Sequence, residues 1–330
     1  MFRNIFNSYN IFVKSISTIL VLLTVASIGS ILPVSCSQKE SEPHIHKWSE
    51  RHQDSKEHRR NCTSKDCDEP GILEKGEHVG YPCEICGPAF KAVAFYTGIN
   101  DMAHVSFCKE ANTWFSNLAK SSNFIFESTT DWSNLNDEFL EDVDVLFFYD
   151  TRPENESQRE TFQRYMENGG AWIGFHFAAF ALTPSTYPQN WDWYHDEFLG
   201  SGQYVSNTWE PTTAILKVED KDSYIAYSMP SKFKSTPCEW YRWEHDLREN
   251  EDIDILCSID SSSFPLGNKE GEIWYEGYYP VVWTNTNYNM LYMNMGHNLV
   301  NYNNGDTHSY TFGDETQNKL IYNFLDYLRP

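Results

Sequence analysis

The sequence predicts an α/β fold in which a parallel sheet carries helices on both faces. From Lys91 onward, short apolar runs alternate with stretches of helical periodicity, as strands and crossover helices do in such sheets. The run VDVLFFYD at 143–150 is apolar at consecutive positions, which is typical of a strand buried on both faces. These two observations place the sheet between two helical layers.

The predicted elements follow one another closely along the chain. Val105, Cys108, Ala111, Phe115 and Leu118 recur at helical spacing and share one face. Strands are predicted at 91–97, 124–129, 143–150 and 171–178, and helices at 102–120, 132–142 and 157–170. The whole α/β domain is predicted to span 89–330.

Residues 1–35 are predicted to be an export signal of the lipoprotein type. Arg3 and Lys14 precede an apolar stretch that ends near Val34, which is the pattern of a secretory signal. An ordinary cleaved signal and a single membrane anchor remain open alternatives.

The end of this segment, Val34-Ser35-Cys36, resembles the lipobox of bacterial lipoproteins, although Pro33 stands where that motif usually has leucine. The resemblance implies lipidation of Cys36 and a membrane-anchored protein in the periplasm or at the cell surface. Residues 36–43 are rich in Ser and Glu and are predicted to be a polar tether.

Residues 44–88 are predicted to form a small Cys/His-rich module with almost no aliphatic core. Cys62 and Cys67 enclose four residues, Cys83 and Cys86 enclose two, and fifteen residues separate the pairs. This is close to the spacing of a zinc ribbon, in which four thiolates hold one structural Zn²⁺. Two disulfides or free thiols are alternatives that the spacing leaves open.

The charge balance excludes one class of partner. The chain has 47 acidic and 25 basic residues, for a formal net charge of -22. Such a field repels phosphate backbones, so no nucleic-acid partner is expected. Neutral or cationic ligands suit it better.

The carboxyl ends of the predicted strands are where ligands bind in open parallel sheets. His176 falls at the carboxyl end of the predicted strand at 171–178, within Phe175-His176-Phe177, so we expect this histidine to open into a cleft at the sheet edge.

The segment YMENGGAWIGFHFA at 165–178 resembles the ThuA-like (trehalose utilization) family, in which a glycine pair ends a helix and a histidine follows the next strand. This family implies a flavodoxin-like, class I glutamine amidotransferase-like fold. Relatives of that fold have a nucleophilic cysteine at this turn, where the chain has His176, so the resemblance excludes thiol acyl transfer. Three further segments match in family order: WDWYHDEFLGSGQY, CEWYRW and YYPVVWTNTNYNMLYMNMGHN.

These matched segments supply the candidate site residues. The candidate catalytic residues are His176, His297 and Glu239, and the candidate substrate-binding residues are Tyr241, His195, Glu197 and Trp240. Histidine and carboxylate sets serve either a divalent metal or a general acid/base pair, and the sequence leaves that choice open. His104 and His308 are expected to have no role.

The resemblance implies a part in carbohydrate utilization, with a sugar or sugar derivative as partner. Tryptophan and tyrosine are dense between 191 and 279, and aromatic faces suit sugar rings. Where family members carry a histidine after an aromatic residue, Tyr204 is here followed by Val205, Ser206 and Asn207. The alternative is therefore a non-catalytic surface glycan-binding or assembly protein with a degenerate site, and the sequence does not decide whether the protein is an enzyme.

Overall fold

The structure, a computed structural model, describes residues 46–65, 67, 73–99, 101–180, 191–208, 210–264 and 277–329, which belong to one compact unit. The predicted export signal, the tether and Cys36 lie outside the described residues. Within the described part of the chain, no helix has the length and apolar character needed to span a membrane.

Sixteen strands and four α-helices lie within these ranges. The strands are β1 His52–Gln53, β2 Glu57–Asn61, β3 Leu73–Glu77, β4 Lys91–Phe95, β5 Ile125–Thr129, β6 Val145–Phe148, β7 Ala171–Phe175, β8 Tyr204–Asn207, β9 Ile215–Val218, β10 Lys232–Lys234, β11 Tyr241–Trp243, β12 Ile253–Ile259, β13 Pro280–Asn285, β14 Asn289–Met293, β15 Leu299–Val300 and β16 Thr307–Ser309. The α-helices are α1 Met102–Ser121, α2 Asp137–Leu140, α3 Glu156–Glu167 and α4 Glu315–Tyr327.

A nine-stranded sheet forms the centre, in the order β10-β9-β12-β13-β14-β7-β6-β4-β5. The strands from β14 to β5 are parallel, which confirms the predicted α/β class. The strands from β10 to β13 pair antiparallel, a feature that the predicted parallel sheet did not include. The reason is the short connection between β13 and β14, since three residues can close a hairpin but not a crossover.

The core lies on both faces of this sheet. Phe107 of α1 and Leu320 of α4 pack on one face, together with Phe175 of β7. Phe162 of α3 packs on the other face against Trp172 of β7. Alternate residues of one strand thus enter opposite cores, as predicted for a sheet covered on both sides.

The start of α1 brings polar residues to the carboxyl edge of the sheet. Asp101 is its N-cap, and its carboxylate accepts a hydrogen bond from the backbone N–H of Ala103 at 2.8 Å. The first turn of α1 follows directly after β4 and the loop at its carboxyl end. His104 lies in that turn and therefore lies at the sheet edge.

The small module is a three-stranded antiparallel sheet in the order β1-β2-β3. It contacts the α/β domain at Asn123, which follows α1 with a left-handed backbone (φ 53°). The Asn123 side chain accepts a hydrogen bond from the backbone N–H of Cys83 at 2.7 Å and donates to the backbone oxygen of Gly87 at 2.8 Å. This buried amide joins the module to the end of α1, and nearby the Tyr81 hydroxyl donates to the backbone oxygen of Phe124 at 2.9 Å.

Candidate functional site

A cavity of about 750 Å³ lies at the carboxyl edge of the parallel strands. Its wall includes residues that follow β4, β7 and β14, namely Asp101, His104, Phe177, Phe180 and His297. The β8 and β11 pair closes another side with Tyr204, Asn207 and Tyr241, next to Glu239. Its size lies within the roughly 300–1,000 Å³ typical of small-molecule sites.

His176 lies beneath this cavity and does not line it. Its side chain is fully buried, at 0% exposure, and its backbone is left-handed with φ 45°. A non-glycine residue in this conformation is strained, and such strain is concentrated at functional turns. The expectation that His176 opens into the cleft is therefore corrected: the strand ends at the sheet edge, but the residues around the turn enclose the imidazole.

His176 contacts Asn294 through Nδ1, which lies 2.8 Å from the backbone oxygen and 3.1 Å from the side-chain nitrogen of that residue. The other ring nitrogen, Nε2, is buried, has no hydrogen-bond partner among the described residues and lies 3.6 Å from Oε2 of Glu239. The enclosed imidazole therefore lies next to the Glu239 carboxylate.

Glu239 connects His176 with the cavity. The Asn207 side chain donates to its Oε1 at 2.6 Å, while its Oε2 lies between His176 and His297. The amide of Asn207 therefore orients the Glu239 carboxylate.

His297 lines the cavity between two carboxylates. Its Nε2 lies 3.9 Å from Oε2 of Glu239 and 3.8 Å from Oδ1 of Asp101. Burial, followed by the nearby His176, lowers the pKa of His297 to about 4, against the opposing pull of Glu239 and Asp101. His297 is therefore uncharged at neutral pH and can accept a proton.

His104 completes a cluster of three imidazoles that the sequence did not reveal. Its ring centroid lies 5.2 Å from that of His176 and 5.1 Å from that of His297. Burial, then the charges of His176 and His297, hold the pKa of His104 well below its usual value. His104 was expected to have no role, but the first turn of a helix that follows a parallel strand is a position that could have indicated it.

Three other predicted site residues do not line the cavity. His195 and Glu197 lie on the π-helix Trp193–Phe198, where Nδ1 of His195 hydrogen bonds to the backbone oxygen of Trp191 at 3.1 Å. Trp240 is fully buried and donates its Nε1–H to the backbone oxygen of Thr212 at 2.9 Å. Of the predicted substrate-binding residues, Tyr241 lines the cavity, with its ring 4.1 Å from that of His176.

The aromatic residues that line the cavity are phenylalanine and tyrosine, whereas the sequence indicated tryptophan as well as tyrosine. Phe177 and Phe180 stack at 4.4 Å, and Tyr204 lies 4.7 Å from Phe180. Tyr302 is at the rim and half exposed. The tryptophans at 191, 193 and 243 pack instead with the hydrophobic core.

The groups that could hold a metal lie in the small module. In the described part of the chain, two sets of side chains bring all their ligand atoms within 4.8 Å of one another: His58, His78, Cys83 and Cys86, and His46, Cys62 and Cys67. The ligand atoms of the cavity form no such compact set among the described residues. At the cavity imidazoles lie near a carboxylate, as His297 does near Glu239. Such pairs suit proton transfer between two groups better than the tetrahedral coordination of one metal ion.

The cysteines are arranged differently from a single four-cysteine site. No disulfide joins the described cysteines from Cys62 to Cys257, and each pair of the module is completed by histidine rather than by the other pair. Burial works to raise the pKa of Cys83, but the backbone N–H groups of Val79, Cys86 and Ile85 outweigh it and lower the pKa to about 5.

Comparison with known proteins agrees with the predicted family and fold. A sequence family described as "ThuA: Trehalose utilisation" matches residues 92–313. A solved structure of a ThuA-like protein from Bacteroides uniformis is 33% identical, covers 76% of this chain and 95% of that chain, and has a TM-score of 0.64. A ThuA-like protein from Parabacteroides merdae is 18% identical, with 72% and 89% coverage and a TM-score of 0.48. A search of curated proteins finds no match.

Proposed function

This chain belongs to the ThuA family of trehalose utilisation, and from that premise we propose that it binds a neutral sugar derivative in the cavity and performs acid/base chemistry on it. The family gives a role in carbohydrate utilisation. The cavity as the place of binding, and the chemistry within it, are our proposal.

The composition of the cavity wall supports a neutral sugar. Phe177, Phe180 and Tyr204 offer apolar ring faces for the C–H surfaces of a pyranose. Asp101, Glu210 and Glu239 offer acceptors for hydroxyl groups, and they disfavour a sugar phosphate because like charges repel. A ligand with many hydroxyls and no negative charge fits both features.

The proton chemistry follows from Glu239 and His297, which both line the cavity. In the proposed step His297, neutral at physiological pH, takes the proton of a sugar hydroxyl at Nε2, and the resulting imidazolium returns it to the product. Glu239 and Asp101, within 4 Å of this atom, stabilise the imidazolium that results. His176 acts from beneath as a positioning residue, since it is enclosed and reaches the cavity through Glu239.

The observation that carries this proposal is the approach of His297 Nε2 to Glu239 Oε2 at 3.9 Å within one aromatic-walled cavity. Calorimetry with trehalose, maltose and cellobiose tests binding, and NMR of the same sugars tests turnover. We expect Glu239→Gln and His297→Ala to weaken binding and abolish turnover.

His308→Ala is the matched control, because His308 is exposed on β16 and does not line the cavity. The variant should behave as the unmodified protein does. Failure of all three sugars to bind would overturn the proposal as a whole. Binding without turnover would overturn the acid/base part and leave a glycan-binding protein.

We also propose that the chain is exported and held at a membrane by a lipid on Cys36. The basic and apolar segment before Val34-Ser35-Cys36 supports this. Metabolic labelling with a radioactive fatty acid should mark the protein, and Cys36→Ala should prevent labelling and release the protein from the membrane fraction. Equal labelling of the variant would contradict the anchor.

We propose further that the metal taken by the small module is zinc. Both candidate groups combine cysteine sulfur with imidazole nitrogen, a ligand set that suits Zn²⁺. Elemental analysis of the purified protein tests this. Protein without zinc, its module cysteines oxidised to disulfides, would overturn it.

A further inference from the structure

We infer that the four cysteines of the module serve two separate zinc ions, each pair being completed by histidines from its own end of the sheet. This inference rests on the proposed binding of zinc by the module. It replaces one four-cysteine site with a Cys₂His₂ site and a second site that has at least two cysteines and one histidine.

The antiparallel pairing of β2 and β3 separates the cysteine pairs. Asn61 pairs with Leu73 at one end of this ladder, and Glu57 pairs with Glu77 at the other. Cys62 and Cys67 follow the Asn61 end, whereas Cys83 and Cys86 follow the Glu77 end. Four residue steps of strand correspond to about 13 Å, which is far more than the roughly 4 Å between two ligands of one tetrahedral zinc.

The first site is complete within the described residues. His58 on β2, His78 directly after β3, and both cysteines of the following turn bring their ligand atoms within 4.8 Å of one another. His58 and Cys83 are buried, and within the described part of the chain Nδ1 of His58 has no hydrogen-bond partner. Two cysteines and two histidines at this separation match the number and kind of ligands in a structural zinc site.

The surroundings of the first site orient its ligands as metal sites do. Nε2 of His78 lies 2.9 Å from the backbone oxygen of Asp54, so the proton is on Nε2 and the lone pair of Nδ1 faces Cys86 Sγ at 3.5 Å. The backbone N–H of Val79 donates to Cys83 Sγ at 3.4 Å, which stabilises a thiolate. Both contacts prepare the side chains to bind a cation.

The second site lies at the other end of the ladder. Nδ1 of His46 is 3.3 Å from Cys62 Sγ and 3.8 Å from Cys67 Sγ. Three ligands of this kind leave one coordination position for water or a further side chain.

The test counts zinc in the full chain purified in detergent. We expect two zinc ions per chain in the unmodified protein and one ion each in Cys83→Ser/Cys86→Ser and in Cys62→Ser/Cys67→Ser. His52→Ala is the matched control, because His52 is an exposed histidine of the same sheet that belongs to neither group, and it should retain both ions.

A second measurement on the unmodified protein is independent of whether the variants fold. Titration of the thiols with a mercurial should release zinc in two steps of two thiols each. One ion per chain, released in a single step that needs all four thiols, would overturn the inference and leave the proposal of zinc intact. No zinc at all would instead overturn that earlier proposal.

Discussion

Asn207 donates its side-chain amide to Oε1 of Glu239 at 2.6 Å, next to the ladder that pairs Asn207 with Tyr241. This bond leaves Oε2 of Glu239 directed to His176 and His297. The Asn207 side chain therefore controls the orientation of the carboxylate that joins the buried imidazole to the cavity.

Asn207→Ala should weaken sugar binding about 10-fold to 100-fold, because a hydrogen bond to a charged group contributes about 1.5–3 kcal/mol. Calorimetry with the sugar that the unmodified protein binds measures the effect. Val205→Ala is the control, since Val205 is exposed on the same strand. Equal affinities for both variants would mean that Asn207 does not orient Glu239.

Gly296→Ala should destabilise the fold by about 2–4 kcal/mol. The glycine has φ 140°, and a Cβ there would lie 2.9 Å from Cβ of His176. Gly313→Ala is the control, because a Cβ at Gly313 meets no atom within 4 Å. Urea unfolding of both variants compares the two costs, and similar midpoints would argue against close packing of Gly296 on His176.

The unfolding free energy should fall as the pH is lowered from about 6.5 to about 4. The folded pKa of His297 is about 4, against a usual value of 6.5, so the unfolded chain binds more protons in this window. Stability from this group is present above pH 6.5 and is lost as the pH falls, by roughly 3 kcal/mol in total.

Urea unfolding at several pH values measures this effect. The unfolding free energy of His297→Gln should decrease less between pH 6.5 and pH 4 than that of the unmodified protein. His308→Gln, altered at an exposed site, should retain the full decrease; an unchanged slope for His297→Gln would contradict the buried, neutral state of His297.

Asn123→Gly should loosen the small module while the α/β domain stays folded. Glycine keeps the left-handed backbone but removes the hydrogen bonds to Cys83, Gly87 and Gln53. Limited proteolysis should then cut within residues 46–87 faster than in the unmodified protein. Ser228→Gly, an exposed residue that also has a positive φ (60°), is the matched control. Equal protection of the two variants would mean that Asn123 does not hold the module.

Local pattern predicted much of the fold. The strands at 91–97, 124–129, 143–150 and 171–178 each contain an observed strand, and α1 and α3 lie where periodicity placed them. Residues close in sequence determine these elements, because a helix or strand that is buried on one or two faces has apolar residues at a regular short spacing. The antiparallel half of the sheet was not predicted, since apolar strands carry little information on the direction of their neighbours.

The site was predicted in part. Glu239, Tyr241 and His297 line the cavity, whereas His195, Glu197 and Trp240 do not. His104 and Asp101 were not predicted, because an isolated histidine or aspartate at a helix start has no pattern of its own. Their relation to His297 depends on the parallel order of β4, β6, β7 and β14, which brings separate loops to one edge.

The sequence by itself determined the α/β class, the family, the Cys/His-rich module and the turn at which His176 lies. The class and the module depend on composition and on repeats within a few residues, and the family depends on the resemblance of four short motifs to those of its members. Only the tertiary structure decided that His176 is enclosed, that Asn207 orients Glu239, and that the cysteine pairs lie at opposite ends of a ladder. Each of these is a distance between residues far apart in the chain, and such distances are set by strand order and packing, which local sequence does not encode.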